Sequence, residues 1–260
     1  MIKSLKEIWE YRELLAGLVL KDVKLRYKQT LLGIAWAVFS PLTMMLIFSF
    51  VFSRVAPIST GRIPYPIFVY CGLVAWYLFA NSLSSAVPVL VSNAGLVTKV
   101  YFPREVFPLS SVLSKLVDFF LALALLFLLM PFFGIKFTPA LLWIPVILFV
   151  QLAFTFGLAL LFSMGNLFFR DVKYIFDSVI VIWMFATPVI YPINSSSGPI
   201  SCLLALNPMI PLVDAYRGVV FEGALLNAGP FLIAAVIAFL VLAAGLTVFH
   251  KMEYLFAERI

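Results

Sequence analysis

Charge is scarce in this 260-residue chain: 12% of its residues are charged, against 64% hydrophobic. A soluble domain carries roughly 25% charged and 45–50% apolar residues, so an ordinary water-soluble fold is excluded. Histidine is nearly absent, with His250 alone in the C-terminal tail. That removes Ser-His triads and His-based metal sites, and no metal ligand set is expected. Cysteine is limited to Cys71 and Cys202, both on or near the outer side; a disulfide is compatible with that placement, but two unpaired thiols are expected. No G-x-x-x-x-G-K-[ST] sequence occurs, so the chain has no loop of its own to cradle ATP phosphates. No acidic cluster lies in mid-span, where a proton relay or sodium site would need one. Asp118 and Asp177 both fall near inner ends. These absences argue against a self-powered secondary transporter and against a membrane hydrolase. The chain is expected to be neither an enzyme nor a holder of a bound cofactor.

Long apolar runs are plentiful. They are organised around Ser92–Asp118, which carries Lys99, Arg104, Glu105, Lys115 and Asp118 with Pro103 and Pro108. The run before it, Ile63–Thr98, has 36 residues without a charge, and Phe119–Ile135 after it has 17. A Lys, Arg or Asp at the centre of a spanning helix costs ~2.5–3.5 kcal/mol on insertion scales. The charged stretch must therefore face water or a protein partner. An all-α membrane protein follows, one membrane domain over residues 1–260, with six spans of about 20 residues each between 31 and 249.

Residues 1–28 read as an N-terminal helix starting at the capping-box residue Ser4. Leu5, Ile8, Trp9, Leu15 and Val19 form an apolar face that suits the inner interface; a soluble surface helix is the alternative. The spans are placed at Leu31–Phe52, Ile67–Val91, Leu109–Pro131, Leu141–Gly165, Tyr174–Ile190 and Pro230–Phe249. Span 1 repeats small residues at Gly33 and Ala37 and reaches Pro41, a kink position. Polar stripes run along span 2 (Asn81, Ser84, Ser85, Pro88) and span 4 (Gln151, Thr155, Ala159, Ser163), and should face protein or water. Lys115 and Asp118 either snorkel at the inner boundary, the favoured reading, or pair with each other. Between spans 5 and 6, Ile200–Leu206 and Met209–Phe221 are too short to cross, which points to re-entrant or interfacial helices. Asn207-Pro208 looks like an N-cap followed by an N1 proline, and Asp214, Arg217 and Glu222 give this segment polar edges. Residues 250–260 form a cytoplasmic tail.

The model can be tested by charge. Of 18 Lys and Arg, the inner side receives all but Arg54, Arg62, Lys136 and Arg217. That bias puts both termini in the cytoplasm. The basic residues mark topology, not nucleic acid. A seventh crossing near Ile200–Val220 would put the positive C-terminus outside.

A passive pathway needs an external engine. Five stretches carry a resemblance that supplies one: Leu25–Leu42 (LRYKQTLLGIAWAVFSPL), Tyr101–Phe119 (YFPREVFPLSSVLSKLVDF), Asn166–Ile175 (NLFFRDVKYI), Pro188–Pro192 (PVIYP) and Leu206–Arg217 (LNPMIPLVDAYR). In these the chain resembles the permease subunits of bacterial type-2 ABC polysaccharide exporters, the O-antigen, teichoic-acid and capsule export group. The resemblance implies a homodimer in the bacterial inner membrane, joined to two copies of a nucleotide-binding ATPase subunit that holds ATP and Mg. It implies a glycan on an undecaprenyl-diphosphate lipid as substrate, with spans 1 and 5 lining the channel. The N-terminal helix and the Ser92–Asp118 loop would dock on the ATPase. Candidate docking residues are Lys99, Arg104 and Glu105, with Arg170 and Asp171 in the link after span 4; an ordinary solvated loop is the alternative. Candidate channel-lining residues are Trp36, Phe39, Trp183 and Tyr191, whose rings could stack on sugars as rings stack on bases in sequence-tolerant binders. Packing against lipid is the alternative there. The competing functions are a type-2 permease for a small drug or lipid, and a non-transporting membrane scaffold.

Overall fold

A computed structural model describes residues 9–28, 33–54, 60–61, 63–99, 102–192, 207–225 and 227–259. Its centre is the helix Tyr65–Ala86. The sequence there has no charge and is apolar all round through Ala80, the pattern of a helix surrounded by protein. Ile67 through Trp76 are all buried. In chain order the helices are α1 (Arg12–Tyr27), α2 (Trp36–Arg54), α3 (Tyr65–Ala86), α4 (Val89–Ser92), α5 (Ala94–Lys99), α6 (Val106–Ser114), α7 (Leu116–Phe132), α8 (Ile144–Phe168), α9 (Asp171–Ala186), α10 (Met209–Arg217), α11 (Ala228–Met252) and α12 (Phe256–Arg259). Helix α3 is contacted by α2, α6, α7, α8, α9 and α10. Every regular element among the described residues is helical.

Five helical stretches are long and apolar enough to cross a membrane: Gly33–Phe52, Tyr65–Ala86, Val106–Phe132, Pro139–Phe168 and Ala228–Leu255. The expected span 5, Tyr174–Ile190, is shorter as a helix. Helix α9 has 16 residues, about 24 Å at 1.5 Å per residue. It stops at Ala186 because Pro188 cannot continue the ladder. Span 2 likewise ends at Ala86 rather than Val91, since Pro88 removes a donor. The charged stretch that follows is largely helical, not the proline-stiffened loop expected: α4, α5 and α6 occupy most of it. The third span starts at Val106 and breaks at Lys115. Before the break, the hydroxyls of Ser110 and Ser114 donate to the carbonyls of Phe107 and Ser111, bonds of the kind that bend helices.

Two apolar clusters hold the bundle. The larger surrounds α3, and the smaller joins α1, α6, α8 and the end of α11 through Leu18, Val106, Phe107, Leu160, Phe249 and Phe256. Helices α8 and α11 share the most extensive helix pairing among the described residues. Their backbones nearly touch at two glycines. A Cβ on Gly157 would lie 2.7 Å from the Leu242 nitrogen, and one on Gly245 would lie 2.6 Å from the Gly157 oxygen. Small residues of this kind allow close helix approach, and Ala234 and Ala238 on α11 are also buried. The turn after α7 has Gly134 at φ +71°, a conformation glycine adopts without a Cβ clash.

The expected start of the first helix at Ser4 lies outside the described residues, as do Cys202 and Ile200–Leu206. Helix α1 buries Leu18, half-buries Leu14 and Leu15, and leaves Trp9 and Tyr11 exposed.

Candidate functional site

Where α1 meets the first turns of α7, a lone acid finds its partners. Asp118 accepts from the Arg26 guanidinium and from the Tyr27 hydroxyl, and Arg26 also donates to the Ser114 hydroxyl at 3.2 Å. The Lys115–Asp118 pair expected as one reading is thus superseded by a contact to the N-terminal helix. Burial, with the Asp118 carboxylate beside it, pushes the Tyr27 phenol up to about 12. Burial also raises Asp22 on the same helix. Arg26, Tyr27 and Asp118 line a groove of about 440 Å³ between α1, α2, α3 and α7, together with Trp36, Ser40, Asn81 and Lys115. With Arg26 and Lys115 against Asp118, its lining is net positive.

The candidate docking residues separate into two groups. Arg170 and Asp171, at the start of α9, are exposed. Arg104 and Glu105 are not free surface groups, because the end of α11 covers them. Glu105 is 1% exposed and its carboxylate lies 3.2 Å from His250 Nδ1. The Arg104 backbone N–H approaches Glu253 Oε1 at 3.4 Å, its guanidinium donates to the Glu253 carbonyl oxygen, and the same guanidinium lies 5.8 Å from the centre of the Phe256 ring. The tail expected at 250–260 is therefore folded back, with Phe256 fully buried against Phe249 and Phe168. Lys99 closes α5; its side chain lies outside the described residues.

The candidate channel aromatics also divide. Trp36 and Phe39 are exposed on α2 and meet edge to face at 5.3 Å. Trp183 on α9 is half-buried. Its ring packs on Phe79, 5.0 Å between centroids, and its N–H donates to Asn207 Oδ1 at 3.1 Å. Tyr191 donates to the Phe185 carbonyl at 2.7 Å. Asn207 also receives the Met209 N–H and donates to the Thr187 hydroxyl, so the expected cap holds α10 against the end of α9. The span 4 stripe is an interior seam: Gln151 donates to the Ala75 carbonyl at 2.7 Å, and Thr155 and Ser163 are buried.

Three functional features escaped the sequence reading. Arg26 counts in the sequence only toward the charge bias and, like Tyr27, as part of the Leu25–Leu42 stretch; a lone acid at the start of a span, needing a partner, is the available signal. His250 and Glu253 are spaced i, i+3 on one helix face, but nothing local links them to Glu105. Arg217, assigned to the outer side as a polar edge, is 7% exposed. It donates to the carbonyls of Pro188 and Val189 at 2.6 Å each and lies 3.7 Å over the Phe68 ring.

Comparison with known proteins gives this geometry a context. The family described as ABC-2 type transporter matches residues 13–221. The O-antigen export system permease protein RfbA of Myxococcus xanthus is 34% identical over 263 residues, covering 100% of both chains. The protein of the same name from Klebsiella pneumoniae is 32% identical over 247 residues, 95% of this chain and 94% of its own. The polysialic acid transport protein KpsM of Escherichia coli is 22% identical over 251 residues, covering 91% of this chain and 92% of its own.

Proposed function

The chain belongs to the ABC-2 type transporter family, and from that premise we propose that it is the membrane subunit of an ABC exporter of O-antigen-type polysaccharide, a multi-pass protein of the bacterial inner membrane. The observation that carries the reading is the full-length match to O-antigen export permeases. An ABC permease works with an ATPase subunit. In this reading two copies of each assemble, with no cofactor on the permease itself and ATP and Mg on the partner. Residues 1–260 form one permease domain with six crossings and both termini inside, α9 and the bent segment after it making the fifth crossing and α10 re-entering from the outer side. The cargo is a glycan on undecaprenyl diphosphate.

The net-positive groove beside Arg26 and Lys115 supports an anionic lipid headgroup at the inner boundary. The exposed Trp36–Phe39 pair supports weak stacking on passing sugars. Arg170 and Asp171 offer the exposed charges an ATPase could grip. Arg104 and Glu105 would act by tying the docking region to the last span.

The test is co-purification with the nucleotide-binding subunit, followed by analysis of a deletion strain. Lipid-linked glycan should accumulate inside that strain and clear on complementation. Normal surface glycan with an altered drug or lipid profile would favour a small-substrate permease. Absence of any stimulated ATPase activity would favour a scaffold.

A further inference from the structure

We propose that Glu105, His250 and Glu253 form a binding site for a divalent transition metal of the zinc class, which staples the segment before α6 to the end of α11. One ligand atom from each residue lies within 4.8 Å of the others. His250 Nδ1 stands between two carboxylates, 3.2 Å from Glu105 Oε1 and 3.7 Å from Glu253 Oε2. A four-coordinate zinc with bonds of about 2.0–2.2 Å sets neighbouring ligands about 3.3–3.5 Å apart. The two measured edges bracket that value, and all three ligand atoms already lie within 4.8 Å of one another.

A second, independent observation points to a ligand. Glu105 is 1% exposed, and its second oxygen, Oε2, is buried with no hydrogen-bond partner. A buried carboxylate needs its charge and its lone pairs satisfied. The adjacent Arg104 is committed elsewhere, to Glu253 and to the Phe256 ring. A neutral imidazole presents one Nδ1 to two carboxylates and can donate a proton to one of them at most. A metal takes the imidazole lone pair and both carboxylates at once. The His250 side chain is 56% exposed, leaving an open side for water in the fourth position. The Arg104 backbone N–H on Glu253 Oε1 acts as an outer-shell support that orients the ligand. One imidazole with two carboxylates suits zinc or manganese rather than magnesium, which keeps to oxygen ligands. The single histidine of the sequence excludes multi-histidine sites, but this set needs only one, completed by acids 145 and 3 residues away along the chain.

The experiment uses the full chain in detergent, stripped with EDTA, desalted and titrated with Zn2+. Bound metal is counted by mass spectrometry, and the thermal midpoint is followed with Zn2+ or Mg2+. One zinc per chain, a raised midpoint with Zn2+ but not Mg2+, and a tetrahedral Co2+ absorption band are expected. Glu105→Gln and His250→Asn should each weaken zinc binding by more than the ~10–100-fold that loss of an outer-shell partner costs. If Glu105→Gln does not fold, Glu253→Gln, at a less buried ligand, serves in its place. Zinc binding no tighter than in the variants would overturn the proposal. So would stabilisation by mild acid alone with zinc silent, which would make the cluster a protonated histidine bridging two carboxylates.

Discussion

Replacing Arg217 by methionine should release helix α10 from the core. In the native structure two guanidinium nitrogens hold the carbonyls of Pro188 and Val189 at 2.6 Å each. Those carbonyls belong to the bent segment after α9, which has left the helical ladder. Inside a membrane no water is present to take them, so a protein donor must. Each charge-assisted bond contributes about 1.5–3 kcal/mol, so the gross loss is about 3–6 kcal/mol. Removing a buried cation returns part of that as relieved desolvation, and the net loss should be about 3 kcal/mol. Lysine should not rescue, because it cannot fork across two adjacent carbonyls. Cys71 is a built-in reporter: it is 2% exposed on α3 beside this contact, and Gly72 next to it leaves no room for a Cβ, which would sit 2.7 Å from both the Val189 oxygen and the Arg217 guanidinium. In a Cys202→Ser background, thiol labelling of Cys71 through local opening should rise about 100-fold for a loss of that size. A wild-type labelling rate in Arg217→Met, or full protection in Arg217→Lys, would refute the reasoning.

Gly157→Ala and Gly245→Ala should each push α8 from α11, because the added Cβ meets backbone atoms; a loss of about 1–3 kcal/mol or more is expected as a lowered thermal midpoint. Gly17→Ala in α1, where a Cβ has nothing within 4 Å, should instead stabilise by about 0.5–1 kcal/mol, and a loss there would contradict the open surface described. Trp36→Ala with Tyr191→Ala should impair export of long glycan chains while the protein stays folded, read as the length distribution of surface glycan; an unchanged distribution removes the stacking role. Arg170→Ala with Asp171→Ala should lower permease-stimulated ATPase activity severalfold with the thermal midpoint unchanged, and full stimulation would mean the ATPase grips elsewhere.

The helical class and the positions of most spans were legible because long uncharged runs have few other physical outcomes. Single residues were legible only in part: the Asn207 side chain takes the first N–H of α10, whereas the end of α9, expected at Ile190, falls at Ala186 because of Pro188. The partners of polar groups were not. Gln151, Thr155, Ala159 and Ser163 repeat every four residues, a spacing shared by a helix lining a pathway and a helix pinned to a neighbour. The Gln151 bond to Ala75 decides for the second, and that carbonyl is 76 residues away. Arg104 and Glu105 misled in the same way. Two charges in a loop between spans look solvated until a segment about 145 residues later folds over them. Local sequence fixes where a charge must avoid lipid; only the fold says whether water or another side chain receives it.

That distinction also bears on which side of the bundle carries the cargo. In a membrane protein an exposed leucine or phenylalanine is silent, since lipid accepts it as readily as protein. An exposed polar side chain is informative, because lipid cannot satisfy it. Ser40 on α2 and Asn81 and Ser84 on α3 are exposed, and Ser40 and Asn81 line one groove with Trp36. On α9, Asp177 and Ser178 are exposed as well. Helix α2 buries only 11% of its spanning window, and α9 buries Phe176 alone. A single chain therefore leaves exposed polar groups on α2 and α9, the helices it packs least, and along one edge of the otherwise buried α3. Such groups demand either water or a second protein surface. A second copy facing these helices across an aqueous path would meet both demands at once, whereas a solitary subunit in lipid would leave them unmet.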